Sequence, residues 1–188
     1  MYLENNHCIS IGYFDKAFCD YVINISEKNA LALAEIDSKL GNKKTRSSKV
    51  VFIKDDKLNT SLTRVINEHN KNAKWNFQIK EFEPLQYTVY EINDHYDWHI
   101  DSHSYVYPNG MIRKISFTLC LNEDYEGGEF EISKPNPKPE KHINLKFKDK
   151  FTLGTVISFP SFVWHKVNPV TSGTRKVLVG WSVGPQFT

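Results

Sequence analysis

The spacing of apolar residues changes once along this chain, from a helical period before residue 73 to alternation after residue 77. Asp15 stands before Phe18, Tyr21, Val22 and Ile25, which share one side of a 3.6-residue repeat. A helix is therefore expected from Lys16, with Asp15 as its N-cap and those four residues as its buried stripe. A second helix is expected from about Asn59 to Ala73, carrying Leu62, Val65, Ile66 and His69. From Phe77 onward, short runs rich in Tyr, Val, Ile, Phe and Trp predict eight strands, over residues 77–82, 85–92, 98–101, 113–122, 129–133, 155–159, 163–167 and 175–183. Pro108-Asn109-Gly110, Gly127-Gly128, Phe159-Pro160-Ser161 and Ser172-Gly173 punctuate them as turns. Between Lys134 and Lys141, prolines at 135, 137 and 139 remove backbone donors, so an exposed connection is expected there. Strands of this number and spacing suit a β-sandwich or a jelly-roll barrel.

At 188 residues, 40% of them hydrophobic, one domain is the expectation. It divides into a helical N-terminal buttress over 1–75 and a β core over 77–188. Lys and Arg total 24 against 22 Asp and Glu, and a net charge of +2 argues against a broad basic surface for nucleic acid. The three cysteines, Cys8, Cys19 and Cys120, form no paired framework. No run approaches the ~18 apolar residues of a membrane span, and Met1–Ser10 lacks the features of a signal peptide. A soluble cytoplasmic protein without membrane partners is expected.

The chemistry gathers in four residues. His99-Ile100-Asp101 is followed 66 positions after His99 by His165, and ten later by Arg175. Alternation along a strand points His99 and Asp101 the same way and groups Arg175 with Val177, Val179 and Trp181. Two imidazoles and a carboxylate converging on one face hold a non-haem iron and leave the other face open. Zinc accepts the same donors but gives no reason for Arg175, whose planar fork suits the carboxylate of a dicarboxylate cosubstrate.

Further motifs extend this set: Tyr90 before His99-Ile100-Asp101, Arg113-Lys114-Ile115-Ser116, Tyr125-Glu126-Gly127-Gly128-Glu129-Phe130, Phe159-Pro160-Ser161, Trp164-His165-Lys166-Val167, and Pro169 through Arg175. With them the last hundred residues resemble the Fe(II)- and 2-oxoglutarate-dependent dioxygenases of prolyl 4-hydroxylase type, in particular the bacterial and phage PKHD-type branch. The resemblance implies a double-stranded β-helix, or jelly-roll, core with the N-terminal helices packed on its major sheet. It implies Fe(II) on His99, Asp101 and His165, with 2-oxoglutarate held by Arg175 and Tyr90. O2 is then consumed to hydroxylate a substrate with release of succinate and CO2, and ascorbate is an accessory the family admits. Tyr96, Arg113 and Trp181 match substrate-side positions. Trp98, Tyr105 and Tyr107 lie near them in sequence as further aromatic walls for an extended or proline-rich segment.

The leading expectation is thus hydroxylation of a prolyl residue in a peptide or protein. The alternatives are the same chemistry on a free amino acid, small metabolite or nucleic-acid base, and a cupin-like module that binds metal without turnover. Two departures loosen the match to collagen-type enzymes: Phe130 stands where many have threonine, and Val183 where many have histidine. Arg175 replaces their usual lysine. His95 and His103 are expected beside the site or in solvent, and His7, His69 and His142 at the surface.

Overall fold

The computed structural model describes residues 5–28, 32–37, 44–103, 105–134, 143–147 and 151–187. In chain order the elements are β1 (Cys8–Ser10), α1 (Lys16–Glu27), β2 (Ala32–Asp37), β3 (Lys44–Ile53), α2 (Asp56–Asn72), β4 (Glu81–Phe82), β5 (Leu85–Tyr90) and β6 (His95–His99). They continue with β7 (Met111–Cys120), β8 (Tyr125–Gly127), β9 (Phe130–Lys134), β10 (Ile143–Lys146), β11 (Val156–Pro160), β12 (His165–Val167), β13 (Val170–Gly173) and β14 (Arg175–Pro185).

Asp15 caps α1, its carboxylate accepting the Phe18 N–H at 2.8 Å. The fully buried positions of α1 are Cys19, Val22 and Ser26, while Phe18, Tyr21 and Ile25 pack at the rim of the core. Helix α2 begins three residues earlier than the apolar period predicts, because Asp55 accepts the Leu58 N–H at 2.9 Å and adds a turn.

The strands form an antiparallel sheet in the order β1-β11-β7-β14-β5-β3-β6-β12-β9-β10, with β2 also on β3, β4 on β14, and β8-β13 as a separate pair. Strand β3 joins the two layers. Its Lys49–Ile53 segment pairs with β5, whereas Arg46 and Ser47 pair with Tyr96 and His95 of β6. The sheet thereby curls into the mainly β jelly-roll expected of the sequence, with both helices on its outer face.

Alternation divides the apolar residues between two cores. On β5, Leu85, Tyr87 and Val89 join Leu62, Val65 and Ile66 of α2, while Tyr90 belongs to a second cluster with Phe130, Ile132, Phe159 and Val177. At roughly 1.5–3 kcal/mol per fully buried large apolar side chain, these clusters dominate the fold's stabilisation.

Several expectations need correction. The N-terminal part is not simply a helical buttress, since β1 and β3 are strands of the main sheet. The run from Phe77 to Phe82 is strand only at Glu81–Phe82; the Asn70 side chain bonds both the N–H and the carbonyl of Phe77, closing a loop with positive φ at Lys74 and Asn76. His69 is 1% exposed, bonded to Ser10 Oγ at 2.7 Å and Ser158 Oγ at 2.8 Å. Its place in the stripe with Leu62, Val65 and Ile66 turns it inward. His7 is half-buried, its ring edge-on to Phe147 at 5.2 Å. His142 and most of the proline-rich connection, residues 135–142, lie outside the described residues.

Candidate active site

His99, Asp101 and His165 meet inside the curl of the sheet, their donor atoms within 4.8 Å of one another. His99 ends β6 and His165 opens β12, and the two are direct partners across the strands. Asp101 lies past the end of β6. The N–H groups of Asp101 and Ser102 both donate to the Ser161 carbonyl at 2.9 Å, so the Phe159-Pro160-Ser161 turn rather than strand alternation delivers the carboxylate.

The two imidazoles are oriented by backbone carbonyls. His99 Nδ1 donates to Asp97 O at 2.7 Å and His165 Nδ1 to Val163 O at 2.9 Å. A carbonyl can only accept, so a proton sits on Nδ1, and Nε2 is the nitrogen left to offer a lone pair to a metal. Those atoms face Asp101, His99 Nε2 at 3.8 Å from one oxygen and His165 Nε2 at 3.5 Å from the other. Burial, followed by the neighbouring His165, pushes the His99 ring down to about 3, which keeps it neutral. Burial works to raise the Asp101 carboxyl, but His165 and His99 outweigh it and hold it below the usual carboxylate range. Two imidazole nitrogens, aimed by the carbonyls behind them, and a carboxylate oxygen fit a divalent transition metal with open positions. Among the described residues no other group of His, Cys, Asp or Glu gathers in this way.

The cluster opens on a cavity of about 350 Å³. Arg175, at the start of β14, reaches the same cavity and is 1% exposed. It stands opposite Tyr90 on β5, its guanidinium carbon 5.3 Å from the Tyr90 ring and 5.3 Å from the Phe151 ring. Among the described residues, none of its three guanidinium nitrogens is within hydrogen-bond geometry of a partner, the Tyr125 phenol being a neighbour. Gly128 makes room for this side chain: a Cβ there would lie 2.8 Å from Arg175 Cδ.

Tyr96 and Trp181 also line the cavity. Tyr96 lies against His99, and burial raises its phenol to about 12. Arg113 borders the cavity, but its fork is taken by Glu83, Nε to Oε1 at 2.8 Å and Nη2 to Oε2 at 2.6 Å, with its guanidinium carbon 4.0 Å from the Trp181 ring. It braces the wall instead of presenting a free cation. Trp98 does not line the cavity; next to His99 on β6 it points to the opposite face, its ring 5.2 Å from the Lys166 ammonium. Tyr105 is 59% exposed, and Tyr107 donates to Glu83 Oε1 at 2.7 Å. His103 borders the cavity without adding a donor to the cluster, and His95 bonds the Asn93 carbonyl at 3.2 Å. Phe130 and Phe159 pack beside His165, and Val183 is buried on β14 opposite Arg113.

Sequence reading missed Arg46, Gln86 and Thr118, which line the cavity from β3, β5 and β7. Arg46, Ser48 and Val50 alternate on β3 and are all buried, but two of the three are polar, so no apolar stripe announces them.

Three comparisons place this site among known proteins. The model of the 2OG-Fe(II) oxygenase superfamily matches residues 85–183. A PKHD-type hydroxylase of Gloeothece citriformis is 34% identical over 134 residues, covering 69% of this chain and 57% of that protein. One of Crocosphaera subtropica is 35% identical over 121 residues, covering 62% and 51%. The chain thus spans about half the length of these curated relatives. The viral collagen prolyl hydroxylase of Paramecium Bursaria Chlorella virus-1 superposes with a TM-score of 0.68 at 20% identity, covering 96% of this chain and 97% of the other. A Pseudomonas putida prolyl-4-hydroxylase gives 0.70 at 16%, covering 95% and 93%. These solved structures share the fold, and the family match spans every residue of the cluster: the chain belongs to the 2OG-Fe(II) oxygenase superfamily, and the curated relatives it resembles are PKHD-type hydroxylases.

Proposed function

We propose that the chain is a dioxygenase domain that uses Fe(II), 2-oxoglutarate and O2 to hydroxylate prolyl residues of a peptide or protein in a reducing cytoplasm. The observation that carries this reading is the buried Arg175, which has no counter-ion among the described residues, on the wall that also holds His99, Asp101 and His165. A buried cation without a counter-ion is costly, so the site is built around an anion that arrives with the reaction.

Iron(II) bound there supplies, with 2-oxoglutarate and O2, oxidative decarboxylation to succinate and CO2 and insertion of one oxygen atom into a substrate C–H bond. His99 and His165 would hold it through Nε2, and Asp101 through its carboxylate. Arg175 meets the distal carboxylate of the cosubstrate with its planar fork, and Tyr90 offers a hydroxyl beside it. Phe130, Phe159, Val167 and Val177 keep water from the cosubstrate side of the cavity. Tyr96, Ile100 and Trp181 offer the target an apolar wall, which suits a pyrrolidine ring. Arg113 and Glu83 hold the Trp181 face in place. The prolyl target is supported by the solved relatives, both named as prolyl hydroxylases.

The test incubates the protein with Fe(II), 2-oxoglutarate, O2 and a panel of proline-rich peptides, then measures succinate and peptide mass. A gain of one oxygen atom on a prolyl residue is expected. Succinate without any peptide gain moves the target to a free amino acid or small metabolite, and absence of succinate overturns the reading.

A further inference from the structure

Among the described residues, Arg46 is the one cation of the cavity that this mechanism does not use. It lies on β3, outside the matched span of residues 85–183, yet lines the same cavity as the cluster. It is 6% exposed. Its Nε donates to Ser48 Oγ at 2.8 Å, and its guanidinium carbon lies 4.9 Å from the centroid of the Tyr96 ring, the partner of Arg46 across β3 and β6. Among the described residues, no carboxylate pairs with it, and its Nη1 and Nη2 have no hydrogen-bond partner. Tyr96 in turn lies against His99, so Arg46 and a metal ligand touch the same ring.

Counting charges around the cavity leaves this one unmatched. Glu83 neutralises Arg113. Asp101 and a chelating carboxylate of the cosubstrate together offset a divalent metal, and the distal carboxylate offsets Arg175. Ser48 and Tyr96 hold the Arg46 guanidinium without neutralising it. A guanidinium only 6% exposed, held at Nε by Ser48 on the cavity lining, is pre-organised for a carboxylate that the cavity itself does not contain.

Building on the function proposed above, we propose that Arg46 is a specificity residue that pairs with a carboxylate of the substrate, so that the natural target is anionic beside the carbon that is hydroxylated. An acidic side chain next to the target residue or a free α-carboxylate supplies the same chemistry.

The full chain, loaded with Fe(II) and 2-oxoglutarate under argon so that no turnover occurs, is titrated calorimetrically with three probes. These are N-acetyl-Ala-Pro-Ala amide, N-acetyl-Glu-Pro-Glu amide, and the free acid N-acetyl-Ala-Pro. At least one carboxylate probe is expected to bind roughly tenfold more tightly than the neutral amide, and which one responds tells a side-chain source from a terminal one. Arg46→Gln should erase that preference while the neutral probe and 2-oxoglutarate bind as before, and Arg46→Lys should restore part of it. The proposal is overturned if no carboxylate probe exceeds the amide tenfold, if Arg46→Gln weakens all three probes alike, or if it weakens 2-oxoglutarate tenfold. Titration of the wild-type protein with Fe(II) and 2-oxoglutarate alone tests the underlying function separately: no binding there defeats that reading, whatever the probes do.

Discussion

Tyr96 and His99 lie face to face, ring centroids 3.4 Å apart and planes 10° from parallel, although strict alternation would point residues three apart to opposite sides of a strand. The register explains it. Tyr96 pairs with Val167 and His99 with His165, so β6 spends one more residue than β12 over the same interval. That bulge brings the Tyr96 ring against the metal-facing imidazole and re-aims the strand where the site needs it.

Tyr96→Ala should therefore loosen the His99 ring and weaken metal affinity about 10- to 100-fold, as loss of a supporting group behind a ligand commonly does. Tyr96→Phe keeps the stack and should stay within about threefold of wild type on that scale. Titration of Fe(II) or Co(II) into the metal-free protein checks both; equal affinity in Tyr96→Ala would show that the stack does not orient the ligand.

Replacing His99, Asp101 or His165 singly with Ala should abolish Fe(II)-dependent succinate formation. Each substitution also removes one of three donors, so metal binding by the same titration should fall at least about 100-fold. Undiminished turnover in any one would remove that residue from the cluster.

Arg175→Met conserves most of the volume and deletes the unpaired charge. The metal-free protein should gain roughly 1–4 kcal/mol, or several degrees of Tm, while losing 2-oxoglutarate affinity at least 100-fold. Thermal unfolding with and without 2-oxoglutarate reads both: the ligand should raise the Tm of the wild type and not of the variant. A variant that is less stable and still binds 2-oxoglutarate would place the clamp elsewhere.

His69 gives the fold a pH dependence remote from the site. Burial lowers its ring to about 4, below the ordinary value of 6.5, and it is bonded at both nitrogens. The unfolded chain takes up the proton first, so the stability tied to this group is complete above pH 6.5 and is lost as pH falls from there to about 4. The full loss is about 3 kcal/mol. Urea midpoints at pH 7 and pH 5 should differ by less in His69→Gln than in the wild type, and an identical difference would assign the dependence to other groups.

Glu83→Gln should weaken the brace behind Trp181 by leaving Arg113 without its counter-ion. A loss of roughly 1–3 kcal/mol in stability is expected, with metal affinity unchanged, since neither residue belongs to the cluster. Denaturant unfolding and metal titration together distinguish this from a direct role in binding iron.

The core of the site was legible because its signals are local. His99, Asp101, His165 and Arg175 stand at recognisable intervals, all but Asp101 on strands, and each lines the cavity. The elements that escaped depend on non-local events. That Tyr96 shares a face with His99 rests on a bulge visible only in the pairing of β6 with β12, whereas Trp98, next to His99, points the other way. Strand β3 escaped because Lys44–Lys49 is polar, and its inner face carries Arg46 and Ser48 where an apolar stripe announces a strand. His69 sat on the apolar stripe of α2, yet its residue type suggested the surface, and the spacing was the better guide.

Strand β3 gives the cavity two separate origins. The span from 85 to 183 carries the metal ligands and Arg175, and β3 supplies part of the wall from a segment that precedes it by more than thirty residues. If Arg46 selects the target as proposed, part of that choice is encoded in a stretch of chain separate from the metal ligands, and the two meet only when the sheet curls. Grafting residues 44–53 from a relative onto this chain would retune what enters the cavity while leaving intact the machinery that acts on it.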